Sequence, residues 1–153
     1  MISESLQANP VIAALGDLAV AAKFEFEELT VEVRPENILA ALAIIKETLH
    51  FEQLTTVTAV DRYPAEPRFE LVYHLHSFSQ KERLRLKAWL SGEKVEIESA
   101  CPVYRSANWY EREVFDFFGI RFLNHPNLTR IMMPDDWEGY PLRKDYPVTG
   151  TRY

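Results

Sequence analysis

Residues 69–90 read FELVYHLHSFSQKERLRLKAWL and set the architecture of this chain. Apolar and polar side chains alternate from Phe69 to Leu75 and again from Leu84 to Leu90, with the period of a half-buried strand. Polar residues from Ser77 to Lys81 supply the turn between the two runs. Because successive strands joined by a short link pair antiparallel, this stretch predicts one antiparallel strand pair.

Neighbouring segments extend the sheet. Leu54 to Val60 is rich in β-branched residues, and Val95 with Ile97 forms a shorter piece, so we expect a mostly antiparallel, four-stranded sheet. Phe24 to Arg34 is a further strand whose alternation slips in phase, which indicates a bulge or break near Glu27–Glu28.

Two helices are predicted before this run of strands. Pro10 to Ala22 forms a short helix with Asn9 as its N-cap. Pro35 to His50 is more strongly amphipathic, with proline at its start and basic residues in its last turn. A sheet of this kind with flanking helices belongs to the α+β class.

A third helix opens the last part of the chain. Asn108 and Glu111 have the spacing of a capping box, and Gly119 stands where a left-handed C-cap belongs. At about 100° per residue, Glu111 falls within the apolar arc of this helix. The opposite side is predicted to carry Arg112, Glu113 and Asp116.

Composition excludes several classes of protein. The formal net charge of -6 argues against nucleic-acid binding, which requires a basic face. A single cysteine, Cys101, rules out an internal disulfide framework and a self-contained iron–sulfur cluster, and we expect it to be a semi-buried small side chain. No apolar run approaches the roughly 20 residues of a membrane span, and the N-terminus lacks the pattern of a signal peptide. These features predict a cytoplasmic protein that reaches a membrane only through partners.

The sequence after residue 119 loses all periodicity but keeps large apolar side chains. Long aperiodic loops in small domains are usually polar or functional, so apolar residues here need a surface to cover them. We therefore interpret residues 1–108 as an α+β scaffold, and residues 109–153 as a helix plus an extended partner-binding segment of the same structural domain. Residues from about Asn124 onward are predicted to exchange their amide hydrogens rapidly until a partner orders them.

Glu111 is the most informative ionisable residue. If its carboxylate is buried, it needs a cation or several donors, and Arg130 and Arg143 are the natural partners. The alternative is a general acid or base with a raised pKa.

Metal binding is a second hypothesis. Asp116, His125, Asp135 and Asp136 would serve a stand-alone metal-dependent hydrolase. His74 and His76 share one face of a strand, but basic residues of the next strand (Arg83, Arg85 and Lys87) disfavour a cation there and favour a solvated face or a docking patch. The chain has neither GxGxxG nor GxxxxGK[ST], so no nucleotide site is indicated.

The stretch WYEREVFDFFGIRFLNHPNLTRIMMPDDWEGYPLRKDYP, residues 109–147, closely resembles the signature of the C subunit of NADH-quinone oxidoreductase, which is the 30 kDa subunit of respiratory complex I. Four motifs occur in order: ERE-x-x-D-x-x-GI-x-F, HP-x-L-x-RI, PDDW-x-G and PLRKDYP. Related subunits occur in photosynthetic complex I and membrane-bound hydrogenases.

The resemblance implies a cofactor-free structural subunit of the hydrophilic arm, on the cytoplasmic, matrix or stromal side of the membrane. It would brace the D-like quinone-site subunit and neighbour the iron–sulfur subunits. FMN, the Fe-S clusters, NADH or ferredoxin, and quinone would belong to the holoenzyme, which couples electron transfer to proton translocation. The residues expected to form structural ion pairs or the partner interface are Glu111, Arg112, Glu113, Asp116, Arg130, Asp135, Asp136, Trp137, Arg143, Lys144 and Asp145. An unrelated adaptor module remains the other alternative.

Overall fold

The structure is a computed structural model that describes residues 2–150. Its α-helices are α1 (Glu4–Gln7), α2 (Pro10–Leu15), α3 (Ile38–Glu47) and α4 (Ala107–Phe118), with short 3-10 helices at Gly16–Leu18 and Pro35–Asn37. Its strands are β1 (Ala19–Glu25), β2 (Glu28–Val33), β3 (Gln53–Asp61), β4 (Phe69–Ser77), β5 (Glu82–Leu90), β6 (Glu96–Glu98) and β7 (Arg121–Leu123).

Five strands form the main sheet in the order β1-β2-β5-β4-β3. Three of its four strand pairs are antiparallel, and β2 runs parallel to β5. The strand pair predicted from residues 69–90 is confirmed, with a register that runs from Phe69 opposite Leu90 to Ser77 opposite Glu82. The predicted α+β class with a mostly antiparallel sheet is therefore confirmed.

The N-terminal part differs from the prediction. The helix expected from Pro10 to Ala22 ends at Leu15; a 3-10 helix follows at Gly16–Leu18, and the remaining residues begin strand β1. The segment expected as one strand from Phe24 to Arg34, with a bulge or break near Glu27–Glu28, comprises the end of β1, a hairpin turn and β2. The break is a turn at Phe26 and Glu27, which have positive φ angles of 53° and 61°. The small apolar residues after position 18 suit a helix locally, but backbone pairing with β2 overrides that preference.

The expected fourth strand also lies elsewhere. Residues Glu96–Glu98 leave the main sheet and pair in parallel with β7 in a separate two-stranded sheet. Its place in the main sheet is taken by the β1–β2 hairpin, so the described sheet has five strands rather than four.

The core lies between the main sheet and α3. This helix buries one stripe of apolar side chains, as its amphipathic pattern predicts: Ile38, Ala41, Leu42 and Ile45. The other long helix, α4, lies along the edge strand β3 and positions the C-terminal segment, which we define as residues 124–150. Among residues 2–150, no helix is both long enough and apolar enough to cross a bilayer.

Candidate functional site: the C-terminal segment and its buried carboxylates

Helix α4 begins two residues earlier than the predicted capping box requires. Its first residue is Ala107 and its N-cap is Ser106, so Asn108 lies inside the helix and Glu111 is free to turn toward the core. The predicted C-cap is confirmed, since Gly119 has a φ of 72° and its N–H donates to the carbonyl of Phe115 at 2.8 Å.

Asp116 is the centre of the first anchor. Its carboxylate is fully buried, although the helical periodicity predicted an outward position. One oxygen accepts from Arg130 Nη1 at 2.7 Å, and the other accepts three consecutive backbone N–H groups of Ile131, Met132 and Met133 at 2.7–3.1 Å. Burial raises the pKa of Asp116, but these donors outweigh it and hold the pKa below its usual value. The segment thus folds around a charged carboxylate.

Arg130 completes this anchor from the other side. Its Nη1 also donates to the Asp116 carbonyl at 3.0 Å, and its Nη2 donates to the carbonyls of Trp137 and Gly139, both at 2.9 Å. One guanidinium therefore joins the end of α4 to the PDDW-x-G turn with a planar set of donors that lysine does not have. The prediction that Arg130 or Arg143 pairs with Glu111 is wrong, because both arginines have other partners.

Arg143 forms the second anchor at the C-terminal end of α4. Its Nε donates to the Phe118 carbonyl at 2.6 Å, and its guanidinium lies over the rings of Phe69 and Tyr140. A Cβ at Gly119 would come within 2.6 Å of the Tyr140 ring and 2.7 Å of Arg143 Nη2. The segment can approach the helix end this closely only because residue 119 is glycine.

A third anchor fixes the PLRKDYP motif to the end of β3. Asp61 is nearly fully buried and accepts two hydrogen bonds from Arg68, at 2.9 Å each, and one from the Lys144 backbone N–H at 2.9 Å. Arg68 also donates to Asp145 at 2.7 Å. Hydrogen bonds from Arg68 hold the pKa of Asp61 well below its usual range, so the group stays charged.

Glu111 lies in a different, fully buried cluster. One oxygen accepts from the Ala100 N–H at 2.6 Å, and the other accepts from Ser99 Oγ at 2.6 Å and lies 3.5 Å from Cys101 Sγ. His125 Nε2 is 3.8 Å away. Burial raises the pKa of Glu111 to about 7, even though the hydrogen bonds from Ser99, Ala100 and Cys101 lower it. Within the described part of the chain, this carboxyl has hydrogen-bond donors but forms no ion pair with an arginine or lysine.

The same cluster is the only group of metal-ligand type found within residues 2–150, since the ligand atoms of Cys101, Glu111 and His125 lie within 4.8 Å of one another. Hydrogen bonds already occupy both imidazole nitrogens of His125. Nδ1 accepts from the Asn127 N–H at 3.0 Å, which leaves Nε2 protonated and facing the Asn108 carbonyl at 3.1 Å. A metal on Nε2 would require the other tautomer and the loss of both bonds.

The four residues of the hydrolase hypothesis are not brought together. Asp116 is enclosed by Arg130 and backbone N–H groups, His125 faces Glu111, and Asp135 and Asp136 are exposed in the turn that the Trp137 N–H closes onto the Pro134 carbonyl at 3.0 Å. His74 and His76 lie on the outer face of the sheet opposite Arg85 and Arg83, as the alternation predicts.

The remaining predicted site residues differ in their placement. Arg112 donates to the carbonyls of Thr129 and Arg130, at 3.1 and 3.0 Å, and so supports the start of the segment. Glu113 and the Lys144 side chain are exposed. Sequence reasoning missed Asp61, Arg68 and Ser99. Single aspartate, arginine and serine residues at strand ends and in loops are common, so none of the three carries a signal of its own.

Together the fold and the site define a small α+β scaffold domain that presents a structured but irregular C-terminal segment. The chain belongs to the family described as the 30 Kd subunit of respiratory-chain NADH dehydrogenase, whose model matches residues 31–152.

Two curated relatives illustrate the match. The C subunit of NADH-quinone oxidoreductase from Citrifermentans bemidjiense is 53% identical over 123 residues, which cover 80% of this chain and 76% of the relative. The protein of the same name from Roseiflexus castenholzii is 45% identical over 148 residues, which cover 92% of this chain and 84% of the relative. The resemblance inferred from the motifs is confirmed, and with it the assignment to a subunit of the complex I type.

Solved structures agree with this fold. A trypsin-resistant fragment of Nqo5 superimposes with a TM-score of 0.64 at 28% identity, over 70% of this chain and 88% of the fragment. A chain of the membrane-bound sulfane sulfur reductase, an archaeal respiratory membrane complex, gives a TM-score of 0.78 at 30% identity, over 90% of this chain and 82% of that chain.

Proposed function

We propose that this chain is a structural subunit of the peripheral arm of a complex I-type NADH:quinone oxidoreductase and that it binds no cofactor itself. It braces the D-like subunit that forms the quinone site and contacts the iron–sulfur subunits, on the cytoplasmic side of the membrane or its matrix or stromal equivalent. FMN and the Fe-S clusters reside in those other subunits. Family membership supports the assembly, and the geometry of the segment supports the structural role.

One observation carries this proposal: the C-terminal segment holds Arg130 against the buried Asp116 of α4, yet it leaves two large apolar side chains exposed to solvent. The carboxylate of Asp116 is buried with Arg130, whereas Met132 and Leu142 are 64% and 52% exposed. Trp109 at the start of α4 is 60% exposed. Exposed large apolar groups on a segment whose backbone is held in place are typical of a surface that another protein covers.

The buried carboxylates also favour a structural over a catalytic role. Asp116 and Asp61 are buried, and both oxygens of each carboxylate accept hydrogen bonds from arginine or backbone N–H donors of the chain itself. The similar chains belong to assemblies named for different reactions, NADH-quinone oxidoreduction and sulfane sulfur reduction. A domain shared between such reactions is better suited to support than to chemistry.

The test is a double substitution, Met132→Glu with Leu142→Glu, in the intact host complex. Both side chains are exposed, so the urea unfolding curve of the isolated chain should stay within about 0.5 kcal/mol of wild type. We expect recovery of the chain with the purified complex to fall at least about tenfold, because two charges would be desolvated at the interface.

The matched control is Phe26→Glu, which changes a 99% exposed apolar side chain on the β1–β2 turn. It should assemble as wild type does. Full assembly of the double variant, or an equal loss in the control, would contradict the assignment of the interface to the C-terminal segment. Normal assembly with lost turnover would favour a catalytic role instead.

A further inference from the structure

The outer face of the sheet, opposite α3, contains a shallow polar groove of about 560 Å³. Two cross-strand rows form its floor. Gln53, His76 and Arg83 are register partners across β3, β4 and β5, and the next row consists of Thr56, His74 and Arg85. We call these two rows the outer-face groove.

Most cations on this face are already neutralised within the chain. Glu70, although it projects from the outer face, is 2% exposed and pairs with Arg62 at 2.5 Å and with Lys87. Glu28 pairs with Arg85. Arg83 is the exception: it is exposed and forms no ion pair with any residue between 2 and 150.

The imidazole of His74 adds hydrogen-bonding capacity rather than charge. Burial, together with Arg85 and Lys87, lowers its pKa, and Glu28 only partly offsets this. At neutral pH the described residues of the groove therefore offer the uncommitted positive charge of Arg83 beside neutral donors and acceptors from His74, Thr56 and Gln53.

We infer that the outer-face groove binds an acidic segment of a neighbouring subunit, with one Asp or Glu side chain on Arg83. Three strands span about 10 Å, which is the length of an extended peptide of about three residues. The charge of Arg83 fits one carboxylate. A polyanion such as nucleic acid or an anionic membrane suits this face poorly, because Glu28 lines the groove, Glu70 projects from the same face of the sheet, and the chain has a net charge of -6.

This inference rests on the proposed role as a docking subunit, and its first test is a footprint. Reaction of His74 and His76 with diethyl pyrocarbonate is followed by mass spectrometry in the isolated full chain and in the purified complex. We expect the reaction in the complex to be at least about tenfold slower. Equal rates in the two states would overturn the inference. The proposed function would survive that outcome as long as the Met132 and Leu142 double variant still failed to assemble.

The second test addresses the charge. Arg83→Glu should reduce recovery with the complex about tenfold, Arg83→Lys should restore most of it, and the loss should shrink in high salt. Lys94→Glu reverses another exposed cation, which makes a 3.8 Å contact with Glu96, and serves as the control. Equal losses in Arg83→Glu and Lys94→Glu would overturn the inference. So would binding of the isolated chain to phosphatidylglycerol vesicles that Arg83→Glu abolishes.

Discussion

At the scale of single residues, the two carboxylates of α4 behave in opposite ways although both are fully buried. Asp116 meets a guanidinium and three backbone N–H groups, so it stays charged. Glu111 meets a hydroxyl, one backbone N–H and a thiol, and burial raises its pKa. Hydrogen bonds without a nearby cation do not offset the desolvation of Glu111.

Glu111 therefore predicts a specific dependence of stability on pH. Its pKa rises from 4.5 to about 7 on folding, so between these values the folded chain holds a proton that the unfolded chain has lost. The free energy of unfolding should fall as pH rises through this window, by about 3 kcal/mol in total. In Glu111→Gln this contribution should vanish, and the difference between variant and wild type in urea unfolding should change by that amount from pH 4.5 to 8.

Other titrating groups cancel in this comparison. Burial is the main cause of the lowered pKa of His125, which makes stability rise with pH below about 6.5, and this burial is common to both proteins. The pKa values of Asp61 and Asp116 are lowered, so they titrate below the window. Glu113→Gln removes one carboxylate from the exposed side of the same helix and serves as the matched control for the loss of a charge. Parallel profiles for Glu111→Gln and wild type would contradict the account of the cluster.

The sequence was sufficient to identify the important ionisable side chains of α4 and the C-terminal segment, but not the residues that they contact. The helical wheel placed Glu111 inward, which is confirmed, and Asp116 outward, which is wrong. A wheel assumes one buried side, whereas α4 lies between the edge strand β3 and the returning C-terminal segment, so both sides are covered. Which arginine pairs with which carboxylate depends on the path of the C-terminal segment, and no local sequence pattern predicts that path.

At the scale of elements, the junction between α4 and the C-terminal segment depends on a close approach of backbone to side chains. Gly119 has a left-handed φ, and any Cβ there would meet Tyr140. The Tyr140 ring cannot easily move, because it packs against Phe115 and lies under the guanidinium groups of Arg130 and Arg143. Any side chain at residue 119 would therefore both clash with Tyr140 and strain the left-handed backbone.

Gly119→Ala should lower the free energy of unfolding by about 3 kcal/mol, the sum of a left-handed backbone penalty and the displacement of packed groups. The control is Gly150→Ala, which also changes a glycine with positive φ (76°), but where no described atom beyond its chain neighbours lies within 4 Å of the added Cβ. It should cost about 1 kcal/mol. Both values come from urea unfolding, and equal losses would show that the close approach to Tyr140 contributes nothing.

Hydrogen exchange can map the same junction amide by amide. The sequence predicts that the amide hydrogens from about Asn124 onward exchange rapidly in the isolated chain, and this remains a prediction. The structure identifies the expected exceptions. The amides of Ile131, Met132 and Met133 donate to Asp116, the Lys144 amide donates to Asp61 at 2.9 Å, and the Leu142 amide donates to the Phe117 carbonyl at 3.1 Å. Protection confined to these amides would agree with an anchored but otherwise exposed segment.

At the scale of the whole molecule, alternation and turn chemistry were enough to predict the α+β class and the strand pair at residues 69–90. They were insufficient for the β1–β2 hairpin, because the small residues of β1 carry no strand pattern. The parallel pairing of β2 with β5 joins residues more than 50 positions apart in the sequence, such as Leu29 with Leu84. Long-range pairing of this kind depends on the total packing of the domain rather than on any local signal.

The remaining question at this scale is whether the C-terminal segment unfolds with the scaffold or opens by itself. We propose that residues 109–150 belong to the same cooperative unit, because the Asp116 and Asp61 anchors connect the segment to α4 and to β3. Arg130→Met removes the cation but keeps much of the side-chain volume, and leaves Asp116 as an unpaired buried charge. Loss of one partner of a buried pair costs about 3–5 kcal/mol.

If the segment and the scaffold are one unit, Arg130→Met should lower the global free energy of unfolding by that amount in a single urea transition with an unchanged slope. Adding Asp116→Asn should recover part of the loss, because the stranded charge is then gone. Arg121→Met, at an exposed arginine of β7, should change little. Unchanged global stability of Arg130→Met, together with faster exchange at the amides of residues 131–133, would show instead that the segment opens independently. In that case its order would have to come from a partner, because its own anchors would be too weak to hold it on the scaffold.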